Sequence, residues 1–103
     1  MDKKIDIQGN IVTFLDTTGK EVESHAMSAS DISAIHIDNR TVSKLFGLKK
    51  IQTKAISITA QGLDKRLEIF EYLDGAEAFA GYADELLKYA KANHIAYRTP
   101  DSE

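Results

Sequence analysis

Apolar and polar positions alternate with a period of two along the first forty residues, the pattern of strands buried on one face. Lys3–Gln8 and Ile11–Asp16 flank Gly9-Asn10, a two-residue loop that accepts positive φ, so the two segments are predicted to pair as a hairpin. That register sets Ile7 opposite Val12 and Ile5 opposite Phe14 on one face. A second turn, Thr17-Thr18-Gly19, has glycine where a left-handed bulge residue is needed. It leads into a strand at Lys20–Met27 with Phe14 opposite Val22 and Val12 opposite Ser24. A tight connection through Ser28-Ala29-Ser30-Asp31 then brings in a fourth strand, Ile32–Asp38, with Val22 facing Ile37 and Ser24 facing Ile35. The prediction is a four-stranded antiparallel meander with a single apolar side.

The alternation stops at residues 39–50. Asn39 or Thr41 could cap a short helical turn, Val42-Ser43-Lys44-Leu45-Phe46, that ends at Gly47. A strand at Leu48–Thr53 is weakly marked. A clear one follows at Lys54–Gln61 and turns through Gly62-Leu63 into Asp64–Tyr72. Here Ile58 pairs with Leu67 and Ile56 with Ile69 on one side. On the other, Ala55 meets Phe70, Ser57 meets Glu68 and Thr59 meets Arg66.

The period then changes from two to between three and four. Phe79, Tyr82, Ala83, Leu86, Tyr89 and Ala90 form the stripe of an amphipathic helix over residues 75–92, with Asp84, Glu85, Lys88 and Lys91 on the other face. Asp74 followed by Glu77 resembles a capping box, with aspartate in place of serine or threonine. The helix is predicted to end near Asn93 or His94, where His94 complements the helix dipole. Residues 1–95 read as one domain and 96–103 as a loose tail.

Composition narrows the function classes. A chain of 103 residues is long enough for one core without a staple. It has no cysteine, which excludes a disulfide scaffold, a thiolate zinc site and a cysteine nucleophile. The start shows no apolar stretch of signal-peptide length, and no run approaches a membrane span, so a cytoplasmic location is the expectation. The net charge of −3 gives no general attraction to nucleic acid. The aromatics are not interleaved with cations as a stacking platform requires, so no nucleic-acid partner is expected.

Several stretches carry a likeness beyond pattern. Met27 to Ile35 leads into an Ile-x-x-Ile strand. Lys44-Leu45-Phe46-Gly47-Leu48 is followed by Ile56-Ser57-Ile58-Thr59-Ala60. Asp74-Gly75-Ala76-Glu77-Ala78-Phe79 opens the final helix. Together with the element order, these resemble bacterial pleckstrin-homology-like (PH-like) domains. The resemblance implies a mainly β fold with one C-terminal α-helix: a split barrel of six or seven antiparallel strands capped by the helix. It also implies a non-catalytic binding or assembly module, and it transfers no functional residue. The first hairpin, short and nearly uncharged at Gly9-Asn10, lacks the basic phosphoinositide signature.

Charge distribution supplies the first candidate site. No acid occurs between Asp38 and Asp64, while Arg40, Lys44, Lys49, Lys50 and Lys54 all do, so this segment carries +5 and the rest of the chain −8. Leu45-Phe46-Gly47-Leu48 sits among these cations. Arg40, Lys44, Phe46, Lys49, Lys50 and Lys54 would suit an anionic membrane surface or an acidic partner. The competing reading, which the resemblance favours, has Leu45, Phe46 and Leu48 filling the barrel frame below a solvated rim of lysines. A second candidate is self-association: the registers above turn Phe70, Tyr72, Ile11 and Leu15 away from the core, which a partner protein or a second copy could cover.

The chemistry of catalysis finds little footing. The expected meander would place Glu21, Glu23 and His25 beside Ala34, His36 and Asp38, with Glu23 opposite His36, but the spacing matches no standard metal motif and no metal or other cofactor is assigned. There is no Gly-x-Ser-x-Gly elbow, no phosphate-binding glycine loop and no His-Glu-x-x-His. The expectation is a binding module, with protein–protein contact or self-association ahead of anionic lipid or ligand docking, and a small enzyme last.

Overall fold

The computed structural model describes residues 3–17, 21–63 and 66–100. Among them β1 (Ile5–Gln8), β2 (Ile11–Asp16) and β3 (Glu23–Ser28) form one sheet, in that order. The second sheet contains β4 (Ile32–Lys44), β5 (Lys49–Ala60), β6 (Leu67–Phe70) and β7 (Ala96–Arg98), in the order β6-β5-β4-β7. Helices α1 (Glu71–Asp74) and α2 (Ala76–Asn93) lie between β6 and β7 in the chain. The fold is therefore mainly β with one main helix, as expected, and its strands form two separate sheets rather than a closed barrel. No helix among the described residues is long and apolar enough to cross a membrane.

One continuous core joins the two sheets and α2. Ile5, Val12, Phe14 and Met27 come from the first sheet, and Ile32, Ile35, Ile56, Ile58, Leu67 and Ile69 from the second. Phe79, Leu86, Tyr89 and Ala90 complete it from the helix. All four helical residues belong to the stripe read from the sequence.

The first hairpin has the expected register, Ile5↔Phe14 and Ile7↔Val12. The pairing of β5 with β6 is likewise as expected, with Ala55↔Phe70, Ile56↔Ile69, Ser57↔Glu68 and Ile58↔Leu67. Thr59 and Arg66 are not part of that ladder, and residues 64 and 65 of its loop lie outside the described residues.

The second hairpin differs by three positions: Phe14 stands opposite His25 and Val12 opposite Met27. An odd shift exchanges the two faces of a strand. Met27 thus enters the core and Val22 is left 64% exposed. Residues 18 and 19 of the expected turn, and residue 20 of the expected strand, lie outside the described residues. The observed register puts a full methionine side chain against Val12, where the expected one offered only serine. The end of β3 is also tied to the first turn, since Ala29 N–H donates to Asn10 O at 3.0 Å.

The connection to β4 corrects the meander. A 3-10 turn at Ala29–Asp31 carries the chain from one sheet to the other, so β3 and β4 do not pair. Ile35 and Ile37 meet Ile58 and Ile56 instead of Ser24 and Val22. The isoleucine pairs bury more apolar surface, and burial is what selects between competing partners. An irregularity between Ile32 and Ala34 lets Ile32 and Ile35, three residues apart, both face inward.

The expected helical turn at 42–46 is not formed: residues 42–44 are strand, and Leu45 and Phe46 belong to the hairpin turn. β4 continues to Lys44 and pairs residue by residue with β5 up to Lys44↔Lys49. The β-branched Thr41, Val42, Ile51 and Thr53 favour this extended pairing. The capping box is also absent. Gly75 occupies the N-cap of α2 at φ 93°, ψ 151°, with no side-chain cap, a conformation open essentially to glycine alone. Asp74 instead accepts from Lys4 Nζ at 2.9 Å. At the far end His94 is the C-cap in the left-handed region, and its N–H donates to Ala90 O. The predicted loose tail begins later than expected, because Ala96–Arg98 pairs in parallel with Ala34–His36 of β4. Residues 101–103 lie outside the described residues.

Candidate functional site: the projecting hairpin

The β4–β5 ladder is longer than either of its neighbours. β6 reaches as far as Ala55 through Phe70, and β7 as far as His36 through Arg98. Six further pairs, from Asn39↔Lys54 to Lys44↔Lys49, continue as a two-stranded ribbon. At about 3.3 Å per residue this ribbon is roughly 17 Å long before its turn.

Its base is braced on one face. Arg40 Nη1 lies 2.8 Å from Glu68 Oε2, and Nη2 donates to Ser57 Oγ at 3.3 Å. Tyr72 N–H donates to Thr53 Oγ1 at 3.1 Å, which fixes α1 against β5. The Phe70 and Tyr72 rings stand 5.9 Å apart at 55°, and Lys44 Nζ lies 4.7 Å above the Tyr72 ring. The other face presents Asn39, Thr41 and Gln52. An open groove of ≈ 530 Å³ runs alongside, lined by Arg40, Thr41, Gln52, Lys54 and Glu71 among others.

The turn itself is unusual. Leu45 and Phe46 have φ of 54° and 56°, followed by Gly47 at 87°. The Gly47 N–H donates to Lys44 O at 3.2 Å and Leu48 N–H to Leu45 O at 3.1 Å. Two consecutive left-handed residues suit a hairpin turn, but asparagine and glycine adopt them far more readily than leucine or phenylalanine. The side chains at this strained turn are solvent-facing: Leu45 is 66% exposed, Leu48 88% and Phe46 fully. This overturns the frame reading, in which those three residues fill the barrel.

The structure therefore brings Lys44, Phe46, Lys49 and Lys50 together at the tip. Lys54 lies at the exposed base of the ribbon, and Arg40 is engaged with Glu68. Leu45 and Leu48 join the site although the sequence reading assigned them to the core. The signal for them was available: an apolar run containing glycine, bounded by lysines on both sides and flanked by β-branched residues. The four self-association candidates are divided between the sheets. Ile11, 38% exposed, and the half-buried Leu15 are on β2. Phe70 and Tyr72 are half-buried, and Ala55, expected to face outward, is fully buried beside Phe70.

A second cluster lies at the edge of the first sheet. Ligand-type atoms of Asp16, Glu23 and His25 are all within 4.8 Å of one another. His25 Nε2 is 3.4 Å from Glu23 Oε2. Glu23 stands opposite Asp16, not opposite His36 as expected, because β3 is paired three positions along and β4 is in the other sheet. The resolved pKa shifts belong to tyrosines that hold the fold. Burial raises that of Tyr89, whose hydroxyl donates to Asn10 O at 2.7 Å. Burial, then the charge of Asp84, raises that of Tyr97, which donates to Ala83 O at 3.1 Å.

No family model, curated protein or solved structure matches the chain.

Proposed function

We propose that this chain is a non-catalytic binding module of the PH-like kind, and that it engages its partner through the tip of the β4–β5 hairpin. The observation that carries this is the outward placement of Leu45, Phe46 and Leu48 on a ribbon that outreaches its own sheet. Monomers seldom leave large apolar side chains clustered in solvent, and such clusters mark contact surfaces. The strain of placing leucine and phenylalanine in the left-handed region points the same way, since strained backbone concentrates at functional sites. The PH-like reading is supported by the strand-rich order followed by a C-terminal helix whose apolar stripe enters the core.

The test is a photo-activated cross-linking residue placed at position 46 in the cell, compared with the same residue at the exposed position 22 just before β3. Capture at 46 well above capture at 22 is expected. Equal capture at the two positions, counting lipid as well as protein adducts, would overturn the docking role of the tip.

A further inference from the structure

We propose that the hairpin tip docks on the anionic surface of a lipid bilayer, a refinement that rests on the docking role given to the tip above. Leu45, Phe46 and Leu48 enter the boundary between headgroups and acyl chains, and Lys44, Lys49 and Lys50 meet the headgroups.

Geometry selects a plane over a groove. Lys44 and Lys49 face each other across the ladder, and Lys50 stands opposite Ser43 at the next pair. Successive ladder positions point to opposite faces of a ribbon. The cations' ladder positions therefore lie on both faces directly beneath the apolar cap, with the Lys44 ammonium resting over the Tyr72 ring. A protein groove that gripped one face would leave the cations of the other without a counterpart. A bilayer surface surrounds a projecting tip and meets them all. Phe46, which no described residue of its chain covers, is fully exposed at the turn.

Depth and charge agree with this. The turn of residues 45–48 rises above the Lys44–Lys49 pair by one or two residues, about 5 Å, within the roughly 5–10 Å to which interfacial apolar groups sink. Lysine stems are long enough to follow the apolar surface while their ammonium groups remain in the headgroup layer. The acids nearest the ribbon stay at its base: Asp38 stands one pair below it, Glu68 is paired with Arg40 at 2.8 Å, and Glu71 lines the groove beside Arg40 and Gln52. No acid lies within residues 39–63, so nothing on the ribbon opposes its approach to a negative surface.

The chain contains no tryptophan, so a Phe46→Trp variant carries a single tryptophan, excited apart from the tyrosines at the red edge, at the exposed turn. With vesicles of equal parts phosphatidylcholine and phosphatidylserine at low salt, its emission should shift to the blue and be quenched by brominated acyl chains. Pure phosphatidylcholine should leave it unchanged, and added salt should reverse the shift. At about fivefold per near-surface cation, adding Lys44→Glu, Lys49→Glu and Lys50→Glu should lower partitioning by a hundredfold or more. Phe46→Asn should lower co-sedimentation of the otherwise unaltered chain by about tenfold or more. Its melting temperature should be unchanged or higher, because asparagine accepts the left-handed backbone.

No blue shift with anionic vesicles at low salt, or an equal shift with neutral ones, would overturn bilayer docking. If cross-linking at position 46 then captured a protein, the docking role of the tip would stand without the bilayer. If capture at positions 46 and 22 were also equal, both would fall.

Discussion

The two ends of one hairpin make opposite use of apolar residues. At its base, Ile35 and Ile37 pair with Ile58 and Ile56, and β6, the first sheet and α2 close over them. At its tip, Leu45, Phe46 and Leu48 stand in solvent on the same two strands. Pairing between the strands is unbroken from Ala34↔Thr59 to Lys44↔Lys49, so backbone pairing does not distinguish the isoleucine pairs from the tip. What differs is the number of layers that reach each end. The base is enclosed from several directions, whereas α1, the Phe70–Tyr72 pair and the contacts of Arg40 with Glu68 and Ser57 brace one face of the ribbon near its base. Burial is thus a property of the assembled layers and not of the ladder. A hairpin that outgrows its sheet converts residues of core type into a contact surface.

The largest expected effect tests that contrast directly. Ile58→Ala at the base should destabilise the fold by about 2–5 kcal/mol, whereas Phe46→Ala at the tip should stay within about 0.5 kcal/mol. Urea unfolding of the two variants measures both, and similar losses would mean that the tip is packed after all.

A smaller effect concerns how the enclosing helix is held over the base. Tyr89→Phe removes the hydroxyl that reaches Asn10 O and should cost roughly 0.5–1.5 kcal/mol. The raised pKa of Tyr89 and Tyr97 adds a pH signature. Burial favours the neutral phenol in the folded state. Its contribution is fully present below the unfolded value of 10.0 and is lost as pH rises through the higher folded value. Wild-type stability should therefore fall with pH above that point, and Tyr89→Phe with Tyr97→Phe should flatten the fall in melting temperature. An unchanged slope would remove the tyrosines as its cause.

The smallest effect lies at the junction of the two ends. Arg40 and Glu68 are each about one-third exposed on their side chains, so their coupling should be about 1 kcal/mol or less once solvent screening is allowed for. A double-mutant cycle of Arg40→Ala and Glu68→Ala measures it. A larger value would show that the base of the ribbon is sealed more tightly than its accessibility indicates.

What the sequence by itself determined was local. Gly9-Asn10 specified one register residue by residue, because a two-residue turn leaves adjacent strands few ways to align, and the alternation of Ile56, Ile58, Leu67 and Ile69 marked the buried face shared by β5 and β6. The period of three and four between Phe79 and Ala90 marked the helix face that is buried, since a helix has only one apolar stripe to offer a core. The resemblance to a split barrel led astray at the tip, because it assigned Leu45, Phe46 and Leu48 to the frame. Other outcomes were tertiary. Val22 and Met27 could each have faced inward, and the choice fell to the larger side chain within reach of Val12. Ile35 and Ile37 could have met β3, but the isoleucines of β5, some twenty residues further along the chain, offered more surface to bury. Alternation shows which residues share a face of a strand. Whether anything covers that face depends on segments distant in sequence, and for Leu45, Phe46 and Leu48 no described part of this chain does so.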